Sequence, residues 1–211
     1  MNNPYVPCFA NVLRENQIKI DEPMSRHTTF GIGGPADCFL MPETAEELCI
    51  ITRLAYKNHF PLFVLGGGAN LLVRDKGIRG VVVFTGRLHQ IEQKDNLLKV
   101  SSGVSTVAAA RAALSFGLSG MEFASGIPGS IGGAAYMNAG AYGGEMAKII
   151  VSATTCDMKG DLIVHHIKDL GYGYRQSPFM DNKEVIVDIT LNLKAGNEKD
   201  IKALMDDLNQ R

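Results

Sequence analysis

Two glycine-rich segments and one arginine loop hold the residues whose types and spacing could do chemistry. The first is Leu62-Phe63-Val64-Leu65-Gly66-Gly67-Gly68-Ala69-Asn70-Leu71-Leu72, an apolar stretch that runs straight into three glycines. Successive N–H groups in such a loop can form a concave nest for phosphate oxygens, and the Asn70 amide can both donate and accept. A tight turn between two strands is the other reading. Three consecutive glycines are costly for an ordinary turn, because each loses much backbone entropy on folding. The second segment runs from Ser125 to Gly144 and includes Gly126, Ile127, Pro128, Gly129, Ser130, Gly132, Gly133 and Ala134. Pro128 suits the first turn of a helix, so a helix is predicted over residues 129–137, with almost no side-chain bulk at its start. The positive end of such a helix suits a pyrophosphate, and small residues let a flat ring system lie against the backbone. A close-packed helix crossing also wants Gly and Ala. The stretch that follows, with Asn138, Gly140, Ala141 and Tyr142, is too polar and glycine-rich for that alone. The third segment is Gly171-Tyr172-Gly173-Tyr174-Arg175-Gln176-Ser177-Pro178-Phe179. Arg175 offers a planar fork that matches a carboxylate or a developing oxyanion. A surface arginine stacked on a tyrosine fits the same spacing equally well.

Other chemistries are excluded by pattern. Position 71 is Leu71, so the first loop is not G-x-G-x-x-G, and no G-x-x-x-x-G-K-[ST] occurs. Cys8, Cys38, Cys49 and Cys156 form no C-x-x-C pair and read as reduced thiols. His165 and His166 are adjacent on an expected strand and point to opposite faces, and His27, His59 and His89 lack ligand-like neighbours, so no metal is expected. With 21 basic and 22 acidic residues the formal charge is −1, which leaves no electrostatic footprint for nucleic acid or an anionic membrane surface. No apolar stretch reaches the ~18 residues of a membrane span. Met1 to Tyr5 lacks the basic and apolar runs of a signal peptide, so the expected compartment is the cytoplasm.

The elements around these segments suggest an α+β fold. Cys38 to Met41 reads as a strand. Thr44 and Glu47 fit a capping box that opens a helix to about His59, with Leu48, Ile51 and Ala55 on one face. Leu62 to Leu65 reads as a buried strand, and Val81 to Phe84 and Leu97 to Ser101 as two more. Val107 to Phe116 is an Ala-rich helix closed by Gly117. Ile149 to Cys156 and Leu162 to His166 form a hairpin turning at Lys159-Gly160. Val185 to Leu193 alternates like a half-buried strand, and Glu198 to Gln210 is a helix with Asn197 as a possible N-cap. A division near residue 86 gives a first lobe over 1–86, a second over 87–196 and a terminal helix over 197–211.

Thr28-Thr29-Phe30-Gly31-Ile32-Gly33-Gly34-Pro35-Ala36, the Leu65–Leu72 loop, the Gly126–Gly144 segment and Tyr174-Arg175-Gln176-Ser177 follow one another in an order that resembles the UDP-N-acetylenolpyruvoylglucosamine reductase (MurB) family, in its shorter second subtype. The resemblance covers residues 28 to 177. It implies the FAD-binding fold of the p-cresol methylhydroxylase type, two α/β lobes gripping FAD. It also implies NADPH as hydride source, a UDP-sugar enolpyruvate as substrate, and a role in peptidoglycan synthesis. The implied cofactor contacts are the backbone of Gly66 to Leu71 and of Gly126 to Ala134, with Asn138 to Tyr142 near the flavin. Arg175 matches the family's catalytic arginine, and Tyr174, its neighbour in the motif, is the second catalytic candidate the resemblance implies. The family continues into a third domain that supplies a serine and a glutamate. Neither motif occurs in these 211 residues. The resemblance therefore implies turnover that needs that domain in trans or in a longer chain, the alternative being a non-catalytic FAD-binding fragment or module.

Overall fold

The computed structural model describes residues 3–211. Two sheets organise them. The first has strands β1 (Ile18–Pro23), β2 (Pro35–Leu40), β3 (Leu62–Leu65) and β4 (Ile78–Phe84) in the order β1-β2-β4-β3. β2, β4 and β3 run parallel, and β1 closes the sheet antiparallel to β2. The second sheet has β5 (Ile91–Lys94), β6 (Leu97–Ser101), β7 (Ile150–Cys156), β8 (Leu162–His166) and β9 (Val185–Asn192) in the order β8-β7-β9-β6-β5, all antiparallel. The fold class is α+β, as the sequence suggested.

Helix α1 (Ala45–Lys57) links β2 to β3 and buries Leu48, Ile51 and Ala55. Thr44 caps it, its Oγ1 accepting from Glu47 N at 3.1 Å. The reciprocal half of the capping box is absent. The Glu47 carboxylate accepts instead from Glu43 N at 2.7 Å and from the buried Gln17 Nε2 at 2.9 Å. Helix α2 (Thr106–Ser115) ends at Gly117, whose φ of +65° is the left-handed C′ conformation. Helix α4 (Glu198–Gln210) starts at Asn197, whose Oδ1 accepts from Lys199 N at 2.9 Å.

Period-2 burial distributes β4 between two cores. Val81 and Val83 pack with Leu48 and Ile51 of α1, and Val82 packs on the other face with Met24 and Phe39. β9 departs from the half-buried pattern expected of it, because it is the central strand of its sheet and is covered on both faces. Val185 and Val187 join the α1 core, whereas Ile189 and Leu191 join the core under α2. The change of side falls at an irregularity where Thr154 pairs with Asp188 and Thr155 with Ile186, leaving Val187 unpaired. β9 thus contributes to the cores under both helices.

No helix among the described residues is long and apolar enough to cross a membrane. At the end of β1, the nearly buried Glu22 carboxylate gathers His27 Nε2 at 2.9 Å, Lys19 Nζ at 3.1 Å and Arg26 Nη1 at 3.9 Å. Burial alone would raise this carboxyl, but the His27 and Lys19 hydrogen bonds hold it below the usual carboxylate range. A group depressed in this way stabilises the fold above the ordinary carboxylate pKa, and the contribution disappears as pH falls through the lower folded value. Glu22→Gln should therefore cost about 1.5 kcal/mol at neutral pH, with the gap to the native protein closing below roughly pH 4. Urea unfolding at several pH values checks this, and a gap independent of pH would contradict it.

Candidate functional site

The two glycine segments meet. The Gly66–Leu71 loop leaves the carboxyl end of β3, the end of a parallel sheet at which open α/β folds place their ligands. It lies against the Gly129–Ser130 turn so closely that a Cβ on Gly67 would sit 2.6 Å from Gly129 Cα and 2.9 Å from Ser130 N. A Cβ on Gly66 would meet Ser130 Oγ at 2.5 Å. Gly68, with φ of +66°, has the His27 carbonyl where a Cβ would point, at 1.9 Å. The three glycines are therefore demanded first by the approach of one backbone to another. His27 is in turn fixed by Glu22 and by stacking on Phe39 at 4.3 Å between centroids.

Between the loops is a cleft of about 510 Å3, a size usual for a small-molecule site. It is lined by Gly66, Gly67, Gly68, Ala69, Asn70 and Leu71 from one side and by Ile127, Pro128, Gly129, Ser130, Gly133 and Ala134 from the other, with Arg175 on the rim. Among the described residues, the backbone N–H groups of Gly66 to Leu71, and those of Gly129 and Ser130, donate to no protein acceptor. Unpaired N–H groups converging on one concavity form an anion-binding nest. Phe63, Val64 and Tyr136 add an apolar wall. Sequence reading had placed Val64 in a buried strand, but β3 is the sheet edge and Val64 is 41% exposed. Its apolar side chain at an edge beside three glycines was the available signal. Ala139, inside the stretch expected near the flavin, lines the cleft, and so does Met137, which was not anticipated as a contact.

The helix expected over residues 129–137 is shorter, α3 (Ile131–Tyr136), and Pro128 lies outside it. Ser130 is its N-cap, with Oγ accepting from Gly133 N at 3.3 Å. Gly129, with φ of +108°, turns the chain before the helix can begin. The first helical N–H groups are already used: Ile131 N donates to Val104 O at 2.8 Å and Gly132 N to Ser102 O at 2.9 Å. The free donors therefore belong to the turn before the helix. Gly132 is also withdrawn from the cleft, because its Cα packs on Ser102, where a Cβ would meet Ser102 Cβ at 2.6 Å. Gly126 faces Asn209 of α4, Gly140 packs on the Gly144 carbonyl, and Tyr142 is exposed, so with Ala141 these lie outside the cleft lining.

Asn138 also lies outside the cleft, and it is 4% exposed. Its Nδ2 donates to Gly173 O and its Oδ1 accepts from Ala147 N, both at 2.9 Å. Gly173 opens the turn that presents Arg175. Gly173 N donates to Gln176 O at 3.1 Å and Gln176 N to Gly173 O at 3.2 Å, with Tyr174 and Arg175 between them. Arg175 has φ of +56°, at a turn position that favours glycine, and its guanidinium carbon lies 5.8 Å from the Tyr174 ring centroid. The stacked arginine and the cleft-lining arginine, alternatives by sequence, are the same residue here. Tyr174 is 88% exposed and outside the cleft lining. Ser177 is buried, and its hydroxyl donates to Tyr136 O at 2.6 Å.

Thiol and metal chemistry find no support. Burial pushes the Cys38 thiol up to about 12 and raises Cys49 and Cys156 as well. The described residues hold no group of three or more His, Cys, Asp or Glu side chains suited to a metal.

Residues 36–165 match a family model described as an FAD binding domain. UDP-N-acetylenolpyruvoylglucosamine reductase of Clostridium kluyveri is 42% identical over 207 residues, covering 96% of this chain and 68% of that protein. The corresponding protein of Clostridioides difficile is 41% identical, covering 100% of this chain and 70% of its own length. Among solved structures, UDP-N-acetylenolpyruvylglucosamine reductase (MurB) from Thermus caldophilus superposes with a TM-score of 0.78 at 31% identity, over 92% of this chain and 69% of that one. The fold is the FAD-binding fold of the p-cresol methylhydroxylase type.

The contact between the loops sets a direct expectation. A methyl group on Gly67 meets backbone that no rotamer change can move, so Gly67→Ala should part the loops and weaken FAD binding by about tenfold or more, equivalent to about 1.4 kcal/mol. Gly143→Ala, at a φ of +82° with open space around it, should cost only about 1 kcal/mol of stability and leave FAD affinity unchanged. Isothermal titration of both variants checks this, and equal affinities would contradict it.

Proposed function

This chain belongs to the UDP-N-acetylenolpyruvoylglucosamine reductase family, and we propose that it holds FAD across the cleft between the Gly66–Leu71 and Ile127–Ser130 loops and uses Arg175 in the NADPH-driven reduction of UDP-N-acetylglucosamine enolpyruvate to UDP-N-acetylmuramate. The observation that carries this reading is one cleft lined by Arg175 and by two loops whose N–H groups lack protein acceptors. The residues fit the cofactor. The N–H groups of Gly66 to Leu71, Gly129 and Ser130 suit a diphosphate, the missing Cβ atoms let the two loops close against each other, and Val64, Tyr136 and Ala134 suit a flat ring. When bound, FAD supplies the hydride chemistry that no side chain can perform.

The chain's own residues then bind, orient and stabilise charge. The diphosphate-binding donors are backbone groups fixed by the loop contact, so they need little reorganisation when an anion arrives. Arg175 offers its fork to the substrate carboxylate. Hydride addition to the enolpyruvyl double bond drives electron density toward that carboxylate, and a fixed cation stabilises the charge as it grows. Tyr174 restrains the guanidinium by stacking against it. Ser177 does not serve as a proton donor, because it is buried and its hydroxyl is spent on Tyr136 O. The four free cysteines suit a reducing compartment, which supports a cytoplasmic setting.

The purified chain incubated with FAD should show the absorption bands of a bound flavin. Gly129→Val should abolish them by closing the backbone to the diphosphate. Arg175→Ala should keep them and, with the family's third domain supplied in trans or in a longer chain, slow substrate reduction by about a hundredfold or more, for want of the charge that stabilises the transition state. Absorption spectroscopy with NADPH oxidation assays reads all three. A flavin retained by Gly129→Val would remove the diphosphate assignment, and a flavin lost from Arg175→Ala would move Arg175 into cofactor binding. A bound flavin that NADPH does not bleach would mark a binding module.

A further inference from the structure

Arg175 occupies a conformation it does not favour. In a four-residue turn closed by Gly173 and Gln176, its φ of +56° puts an arginine where glycine is the comfortable choice. For a residue with a Cβ, the left-handed region costs roughly 1–2 kcal/mol, so the surroundings must enforce it. Two buried polar side chains outside the cleft do so from either end of the turn. Asn138 donates from Nδ2 to Gly173 O at 2.9 Å, the same carbonyl that accepts from Gln176 N. Its own position is fixed, because Oδ1 accepts from Ala147 N at 2.9 Å and its backbone is itself left-handed, with φ of +42°. At the far end, Ser177 Oγ donates to Tyr136 O at 2.6 Å, on the last residue of α3 and in the wall of the cleft. Both anchors therefore tie the arginine turn to α3 and the residues just after it, which also form one side of the cleft.

We propose that Asn138 and Ser177 are positioning residues for Arg175, coupling its turn to the cleft wall so that the guanidinium is held toward the cleft. This rests on the reading of Arg175 as the group that stabilises developing charge. Asn138 lies outside the cleft lining. Its amide, buried and satisfied by protein at both ends, acts through the turn.

The test is the reduction potential of FAD bound to the chain, because a cation held near the flavin favours the negative charge that reduction adds. Arg175→Ala should lower the potential. Asn138→Gly, which keeps the left-handed backbone without strain and deletes only the side chain, should lower it in the same direction with flavin still bound. In the Arg175→Ala background, Asn138→Gly should lower it no further. Ser177→Ala should behave as Asn138→Gly does, and provides the test if that variant fails to fold. A merely structural role predicts otherwise: weaker folding with the potential unmoved, or equal shifts with and without Arg175. Either result overturns the proposal. An unchanged potential in Arg175→Ala itself would take Arg175 away from the flavin and the proposal with it. A chain that takes up no flavin fails the functional reading and is recognised from the spectrum before any potential is measured. In that case trypsin still reports the turn: cleavage after Arg175 should be about fivefold faster in Asn138→Gly, the effect of one lost hydrogen bond of about 1 kcal/mol. Equal cleavage rates would overturn the anchoring.

Discussion

The approach of two backbones, Gly67 against Gly129, is the constraint on which the rest of the site depends. It can form only where residue 67 lacks a Cβ, since a methyl on Gly67 would fall 2.6 Å from Gly129 Cα, while Gly129 is required by its φ of +108°. It brings the end of β3 in the parallel sheet against the turn that precedes α3, and so joins elements from the two halves of the molecule. The neighbouring interactions hold each partner in place. His27 backs Gly68 and is itself set by Glu22 and Phe39. Ser130 caps α3 while closing on Gly66. Ile131 and Gly132 are tied to the segment after β6 through Val104 and Ser102. Close packing leaves such a contact little freedom to shift, so its geometry is inherited by the cleft.

The cleft follows from the same contact. Bringing the loops together puts donors from both into one concavity without giving them protein acceptors. Donors without protein acceptors are left to water or an anion, and several of them around one concavity suit a bound anion. The arginine turn is a second local cost set beside the first. Positive φ at both Arg175 and Asn138 is sustained by partly buried hydrogen bonds that tie the arginine turn to residues around α3. Strain and unpaired donors cluster at this site as they do at binding and catalytic sites generally.

Much of this was legible in the sequence because it rests on local rules. β3 and β6, α4 with its Asn197 cap, and the Gly117 helix stop were read at or within a residue or two of their observed bounds, since apolar runs, capping residues and C′ glycines act over a few positions. The two glycine loops were each read as binding one ligand, but not as partners of each other. Backbone approach between residues more than 60 positions apart in sequence leaves no periodic trace. The same limit applies to Gly132 and Asn138, read in sequence as cofactor contacts: that reading gives no sign that one packs on Ser102 and the other holds the Gly173 carbonyl. β9 was read as half-buried for a related reason. Its alternation is real, but the second apolar layer against it comes from α1, over a hundred residues earlier.

The central claim is that backbone amides of these two loops, held by their mutual contact, receive the diphosphate of FAD. An amide-resolved nuclear magnetic resonance titration of the uniformly labelled chain with FAD tests it most directly. The account predicts large shifts at Gly66 to Leu71, Gly129 and Ser130, with Ile131 and Gly132, whose N–H groups already have protein acceptors, moving much less. Shifts centred on Ile131 and Gly132, or on the separate cavity lined by Glu43, His89 and Lys99, would contradict it.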